Sequence, residues 1–122
     1  MNIKITKRQK EIIETEAVAF ASINPDGSPN LIAVGDLRVV SPNQVVITDN
    51  FMKQTSENIK KDFRVCLATW TKNWEEGYKF IGKAEYYDDG KWVEFVKNLE
   101  ANKGYPAKGA ILITIDNIFK LG

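Results

Sequence analysis

Apolar positions in this chain fall into short runs, rich in β-branched and aromatic residues and separated by clusters of Pro, Gly, Asn, Asp and Ser. That pattern predicts many short strands. Residues 17–24 read as a strand that is small and apolar on both faces, followed by a tight turn at Pro25, Asp26, Gly27 and Ser28. Residues 30–40 form the return strand of a hairpin, interrupted at Gly35, where the missing side chain either permits a bulge or lets a ligand approach the backbone. Ser41, Pro42 and Asn43 turn the chain again. Val45, Val46 and Ile47 then make a strand that stops at Thr48, Asp49 and Asn50, whose side chains favour turns by bonding nearby backbone.

Three segments carry helical spacing. Residues 6–16 are polar, with Ile12 and Ile13 as apolar contacts and Thr6 as a cap, and predict a lid on the fold. After Lys53, Thr55 or Ser56 caps a short helix in which Ile59 and Phe63 lie one turn apart. Asp88, Asp89 and Gly90 start a third helix with Trp92, Phe95, Val96 and Leu99 on one face, and Gly104 stops it. Between the last two, residues 64–71 return to strand composition and residues 78–87 alternate. Tyr78, Phe80, Gly82, Ala84 and Tyr86 share one face and Lys79, Lys83 and Glu85 the other, so one side is solvated. Residues 109–115 are a final apolar strand and residues 116–122 a tail. The sum is one domain over residues 1–122, mainly β, with about six antiparallel strands in a small closed or nearly closed barrel and helices at its periphery. Apolar residues on both faces of residues 17–23 and 110–115 imply a second packing surface, hence a homodimer.

Composition narrows the chemistry. A net charge of +1 gives no basic face for nucleic acid, and no apolar run is long enough for a membrane span. The amino terminus lacks the apolar core of a signal peptide, so a cytoplasmic location is expected. The chain has no histidine, which excludes Ser-His-Asp and Cys-His nucleophiles and His-ligated zinc. The single cysteine, Cys66, sits in an apolar strand as a buried, inert thiol and rules out an internal disulfide. Neither common glycine-rich nucleotide motif occurs.

A helix start placed at a strand end draws attention to residues 53–56. First-turn backbone N–H groups lack internal partners and accept an anion readily. Lys53 adds a point charge, Thr55 a hydroxyl donor and Gln54 an amide donor, a set that suits a phosphate monoester. The plain reading is a capped helix with one solvated lysine. Trp70 and Trp74 either border a ligand or partner groove or belong to the core.

Residues 49–65, Asp-Asn-Phe-Met-Lys-Gln-Thr-Ser-Glu-Asn-Ile-Lys-Lys-Asp-Phe-Arg-Val, are preceded by Asp26-Gly27-Ser28-Pro29-Asn30. They are followed by Glu76-Gly77-Tyr78-Lys79-Phe80-Ile81-Gly82-Lys83-Ala84-Glu85-Tyr86-Tyr87 and by Gly104-Tyr105-Pro106-Ala107-Lys108. This ordered set resembles the flavin-binding split-barrel family related to pyridoxamine 5'-phosphate oxidase, its small single-domain members above all. The resemblance implies a six-stranded antiparallel Greek-key split barrel that dimerises and holds flavin mononucleotide (FMN) in a groove at the interface. It implies that the phosphate lies against Lys53, Gln54 and Thr55, with Gln54 standing where many relatives carry lysine. It further implies that the isoalloxazine meets the backbone of Ala33, Val34 and Gly35 and of residues 47–50, including Thr48, Asp49 and Asn50. The segment with Tyr105 and Pro106 would come across from the partner subunit.

A flavin carries the redox chemistry itself, so no catalytic side chain and no metal are expected. The function implied is an oxidoreductase or an electron carrier, served by a nicotinamide nucleotide or a redox protein as donor. The alternative is a cofactor-free dimeric binding or regulatory module. Pyridoxamine 5'-phosphate oxidase activity ranks below both, because members with that activity use a histidine and a C-terminal segment not found in this sequence. Deazaflavin and haem are the other cofactors of the same barrel, and haem would need an axial ligand other than histidine.

Overall fold

Successive residues of a strand point to opposite faces, and in the first strand both faces are largely apolar. In β1 (Val18–Ile23), Val18, Phe20 and Ser22 are buried while Ala19, Ala21 and Ile23 stay partly exposed. The computed structural model describes residues 3–121. Seven strands occur among them: β1, β2 (Pro29–Val34), β3 (Leu37–Ser41), β4 (Gln44–Asp49), β5 (Arg64–Trp70), β6 (Gly77–Tyr87) and β7 (Gly109–Lys120). All pairings are antiparallel, and the order across the sheet is β2-β1-β5-β6-β7-β4-β3.

The count of seven replaces the expected six. The run at residues 30–40 is two strands, because β2 pairs with β1 and β3 with β4, and the chain changes neighbour at Gly35 and Asp36. The apolar stretch from residue 109 also continues as strand to Lys120, where a tail was expected. The edge strands, β2 and β3, are consecutive in sequence yet share no ladder. The sheet therefore curls back on itself without closing, a split barrel.

Phe20, Leu67, Phe80, Ile47, Ile111 and Ile113 are fully buried in its interior. Burial of each such side chain is worth about 1.5–3 kcal/mol. The long strands β6 and β7 cross at a register shift beside Gly82, where a Cβ would collide with the Thr114 carbonyl oxygen. Only glycine fits that approach.

Helix α1 (Lys7–Thr15) is capped by Thr6 in a reciprocal capping box with Gln9 and buries Ile12 and Ile13 against the barrel. Helix α2 (Gln54–Lys61) turns Thr55, Ser56, Asn58 and Ile59 inward; its N-cap is Lys53, not Thr55 or Ser56. Phe63 lies beyond the helix and is exposed, contrary to the expected apolar stripe. Helix α3 (Lys91–Lys97) buries Val93 and Val96, leaves Phe95 exposed and gives way to a 3-10 turn at Glu100–Asn102. It covers Val46, Ala107 and Ala110 in a second cluster. That cluster is the second packing surface of β7, which leaves the outer face of β1 and its neighbours as the apolar surface without cover. There Ala19, Ala21 and Ile23 of β1 lie beside Cys66, Ala68 and Trp70 of β5, and Leu31 and Ala33 of β2 are exposed.

Candidate functional site

The split in the barrel creates the site. Pairing of β3 with β4 reaches only to Leu37 opposite Ile47, so the end of β4 has no neighbour on that edge. The outer edge of β2 is likewise without a ladder partner. Unpaired backbone N–H and C=O groups on both edges retain their hydrogen-bonding capacity. Between them lies an open cleft of about 310 Å³, lined by residues 32–36 on one bank and by Thr48, Asn50, Phe51 and Met52 on the other. That volume is at the lower end for small-molecule sites, about 300–1,000 Å³.

Five of the ten residues singled out from sequence, Ala33, Val34, Gly35, Thr48 and Asn50, line this cleft. Thr48 Oγ1 lies 3.4 Å from Asp36 Oδ2 at one end. Asn50 has its amide committed: Nδ2 donates to Asn102 Oδ1 at 2.7 Å, and Oδ1 accepts from the Ala107 N–H at 2.9 Å. Ala107 is held at φ 46°, a left-handed conformation uncommon outside glycine. Through Asn50 the segment at residues 102–107 is fixed to the rim, and it carries Tyr105. Tyr105 packs edge-on against Phe51, 6.2 Å between centroids, so it borders the cleft of its own chain. Both rings are exposed, Phe51 at 71% and Tyr105 at 56%.

Asp49 does not line the cleft. Its side chain is 0% exposed and supports the loop from below. Tyr86 Oη donates to Asp49 Oδ2 at 2.6 Å and the Met52 N–H donates to Oδ1 at 2.8 Å. Lys108 Nζ lies 3.9 Å from Oδ1 and donates to the Met52 carbonyl at 2.5 Å. Burial pushes the Tyr86 hydroxyl pKa up, and its bond to the Asp49 carboxylate and that group's charge add to the rise. Tyr86 reaches Asp49 only because position 109 is glycine, since a Cβ there would strike the phenol.

The start of α2 follows directly on the lining residue Met52, but Lys53, Gln54 and Thr55 are not themselves on the lining. Lys53 is exposed and, as N-cap, gives no side-chain acceptor to the first turn, so the leading backbone N–H groups keep their capacity. Thr55 is 2% exposed and accepts from Asn30 Nδ2 at 3.1 Å. Gln54 Nε2 donates to Asn58 Oδ1 at 2.8 Å. Asn58 Nδ2 in turn donates to Ser22 Oγ and Asn24 Oδ1. Lys53 is therefore the charged donor that faces outward, while exposed Gln54 and buried Thr55 join a polar network that pins α2 to the β1–β2 hairpin.

Sequence reasoning missed Asp36, Met52 and Phe51 on the lining and Asn30, Asn58 and Tyr86 behind it. A carboxylate after a glycine reads as a turn, and polar residues on an inward helix face leave no hydrophobic signal. Trp70 and Trp74 stack at 5.9 Å but do not line the cleft, and Trp74 is 79% exposed rather than core. Cys66 is half-buried and burial raises its thiol pKa, which fits an inert thiol. Among the described residues no helix is long and apolar enough to cross a membrane, and no cluster of metal-ligating side chains occurs.

The residues present fit a planar ring joined to a phosphate. Aliphatic and aromatic side chains with unpaired strand edges would hold the ring, and an uncapped helix start with a lysine would hold the anion. A split antiparallel barrel with a cleft at its seam defines the class of flavin-type split-barrel proteins. The chain belongs to the pyridoxamine 5'-phosphate oxidase family, whose model matches residues 5–122. An uncharacterized protein of Methanocaldococcus jannaschii is 31% identical over 123 residues, covering 98% of this chain and 82% of that protein. The crystal structure of HupZ from group A Streptococcus superposes with a TM-score of 0.88 at 26% identity, over 96% of this chain and 94% of that one. An FMN-binding protein from Syntrophomonas wolfei has a TM-score of 0.72 at 13% identity, over 88% and 78% of the two chains, a likeness of fold alone.

Proposed function

We propose that this chain is an FMN-binding flavoprotein that works as a homodimer in electron or hydride transfer. The observation that carries the reading is the cleft at the seam, bordered by two strand edges without ladder partners and by Phe51 and Met52, which lead into the uncapped start of α2. Bound FMN would supply the redox chemistry, accepting and releasing one or two electrons. The protein would bind and orient it. Lys53 and the leading N–H groups of α2 would hold the phosphate, with Gln54 and Thr55 fixing the helix start through Asn58 and Asn30. The backbone at Ala33, Val34, Gly35 and Thr48 would meet the ring, and donors aimed at its carbonyl edge would stabilise the charge that develops on reduction.

Phe51 and Tyr105 are exposed at the rim, and the small apolar outer face of β1, β2 and β5 stands open. A second copy covering these surfaces would exclude water from the ring. A nicotinamide nucleotide or a reduced redox protein would serve as donor. The test is the visible spectrum of the freshly purified protein, with the chromophore released by heat and identified by mass. Flavin absorption and the mass of FMN are expected. A colourless protein that cannot be reconstituted with FMN would leave the cofactor-free binding module in its place.

A further inference from the structure

Asp36 is the charged side chain on the lining of the cleft, and nothing in the binding of a flavin phosphate calls for a carboxylate there. We propose that Asp36 sets the charge class of the molecule that reacts at this site: the cleft takes a cationic or N–H-donating group beside Asp36 and rejects an anionic one. Its role as a selector of redox partners rests on the flavin reading given above; the charge preference itself does not.

Two cross-contacts tie the β2 side of the molecule to what faces it: Asn30 bonds Thr55 in the first turn of α2 (3.1 Å), and Asp36, past the bend at Gly35, meets Thr48 across the cleft (3.4 Å). The exposed Lys53 at the start of α2 and the Asp36 carboxylate on the lining are of opposite sign.

The acceptor there has unused capacity. Asp36 Oδ1 lies 2.9 Å from Arg38 Nη1, and Arg38 is not on the lining. Oδ2 has only the long contact to the Thr48 hydroxyl. Asn50 is held by Asn102 and by the Ala107 N–H, and apart from Thr48 the other lining side chains are apolar. An ionised carboxylate only accepts hydrogen bonds, so it matches a carboxamide N–H or a cation and repels a phosphate or carboxylate. A nicotinamide ring meets that requirement in both forms, through its carboxamide when reduced and also through its positive charge when oxidised.

The experiment titrates the ¹⁵N-labelled full chain, with and without FMN, with benzamidinium and with benzoate, planar molecules of like size and opposite charge. Backbone amide shifts of Gly35, Asp36 and Thr48 report binding. The parent is expected to bind benzamidinium about five- to tenfold more tightly than benzoate at low salt, the difference that one carboxylate at short range confers in water-like surroundings. Asp36→Asn, which leaves the Arg38 guanidinium unpaired, is expected to remove or reverse the gap, and Arg38→Gln, which removes the counter-charge, to widen it. Equal affinities in the parent, or a gap that survives Asp36→Asn, would overturn the assignment; should that variant not fold, a gap unchanged in Arg38→Gln does so. A chain that shows the gap but binds no FMN keeps the Asp36 assignment and loses the flavin reading, and one that binds FMN without the gap does the reverse.

Discussion

Asp49 shows how one side chain can shape a site it does not touch. A fully buried carboxylate is tolerated only when its oxygens are paired, and here Tyr86, the Met52 N–H and Lys108 do so. Tyr86→Phe deletes the hydroxyl and leaves Oδ2 short of a donor, at a cost of about 1–3 kcal/mol measured by urea unfolding. The raised Tyr86 pKa gives a second reading. A folded pKa above the ordinary 10.0 means the phenol contributes fully below that pH and loses its contribution as pH rises past it. The stability gap between parent and Tyr86→Phe should therefore hold at neutral pH and shrink in alkaline solution. A gap that grows with pH would contradict the assignment.

Helix α2 is held by polar groups where most helices use an apolar stripe. Asn58 joins Ser22, Asn24 and Gln54, and Asn30 joins Thr55, so the helix start is set by the β1–β2 hairpin. Asn58→Ala empties a buried position and takes a donor from the buried Ser22 hydroxyl, and should cost about 1–3 kcal/mol by denaturant titration. The same variant should weaken phosphate-dependent FMN binding while riboflavin binding changes less, whereas equal losses for both ligands would argue against a role for the helix start. This element also marks the limit of what the sequence discloses. Strand alternation in β6 and the Thr6 cap of α1 were legible because they are local. The inward face of α2 was not, since Thr55, Ser56 and Asn58 give no hydrophobic period and Phe63 gives a false one. Gly35 marked a break in the run at residues 30–40, but the change of partner from β1 to β4 is a long-range matter that local propensity does not encode. Ala33, Val34, Gly35, Thr48 and Asn50 were placed through family resemblance, and Asp36 stayed hidden because nothing local separates a cleft carboxylate from a turn residue.

For the whole molecule, the proposed dimer accounts for the open outer face of β1, β2 and β5 and for the exposed rim of the cleft. Ala68 sits half-exposed on that face, on a strand whose inward residues are independent of it. Ala68→Arg should yield a folded monomer by light scattering coupled to size exclusion and should lower FMN retention; a variant that remains dimeric would place the interface elsewhere. The central claim, that FMN occupies the seam between β2 and β4, is tested most directly at Gly35. A Cβ at this position meets nothing within 4 Å, so Gly35→Val leaves the packing intact while adding bulk to the cleft lining. The measurement is FMN titration of the parent and of Gly35→Val by flavin fluorescence, with thermal unfolding as the control for folding. One FMN per chain in the parent, and at least about a tenfold weaker affinity in a variant of unchanged stability, is the predicted result. Binding of equal strength in both proteins, or no FMN binding by a well-folded parent, would contradict it.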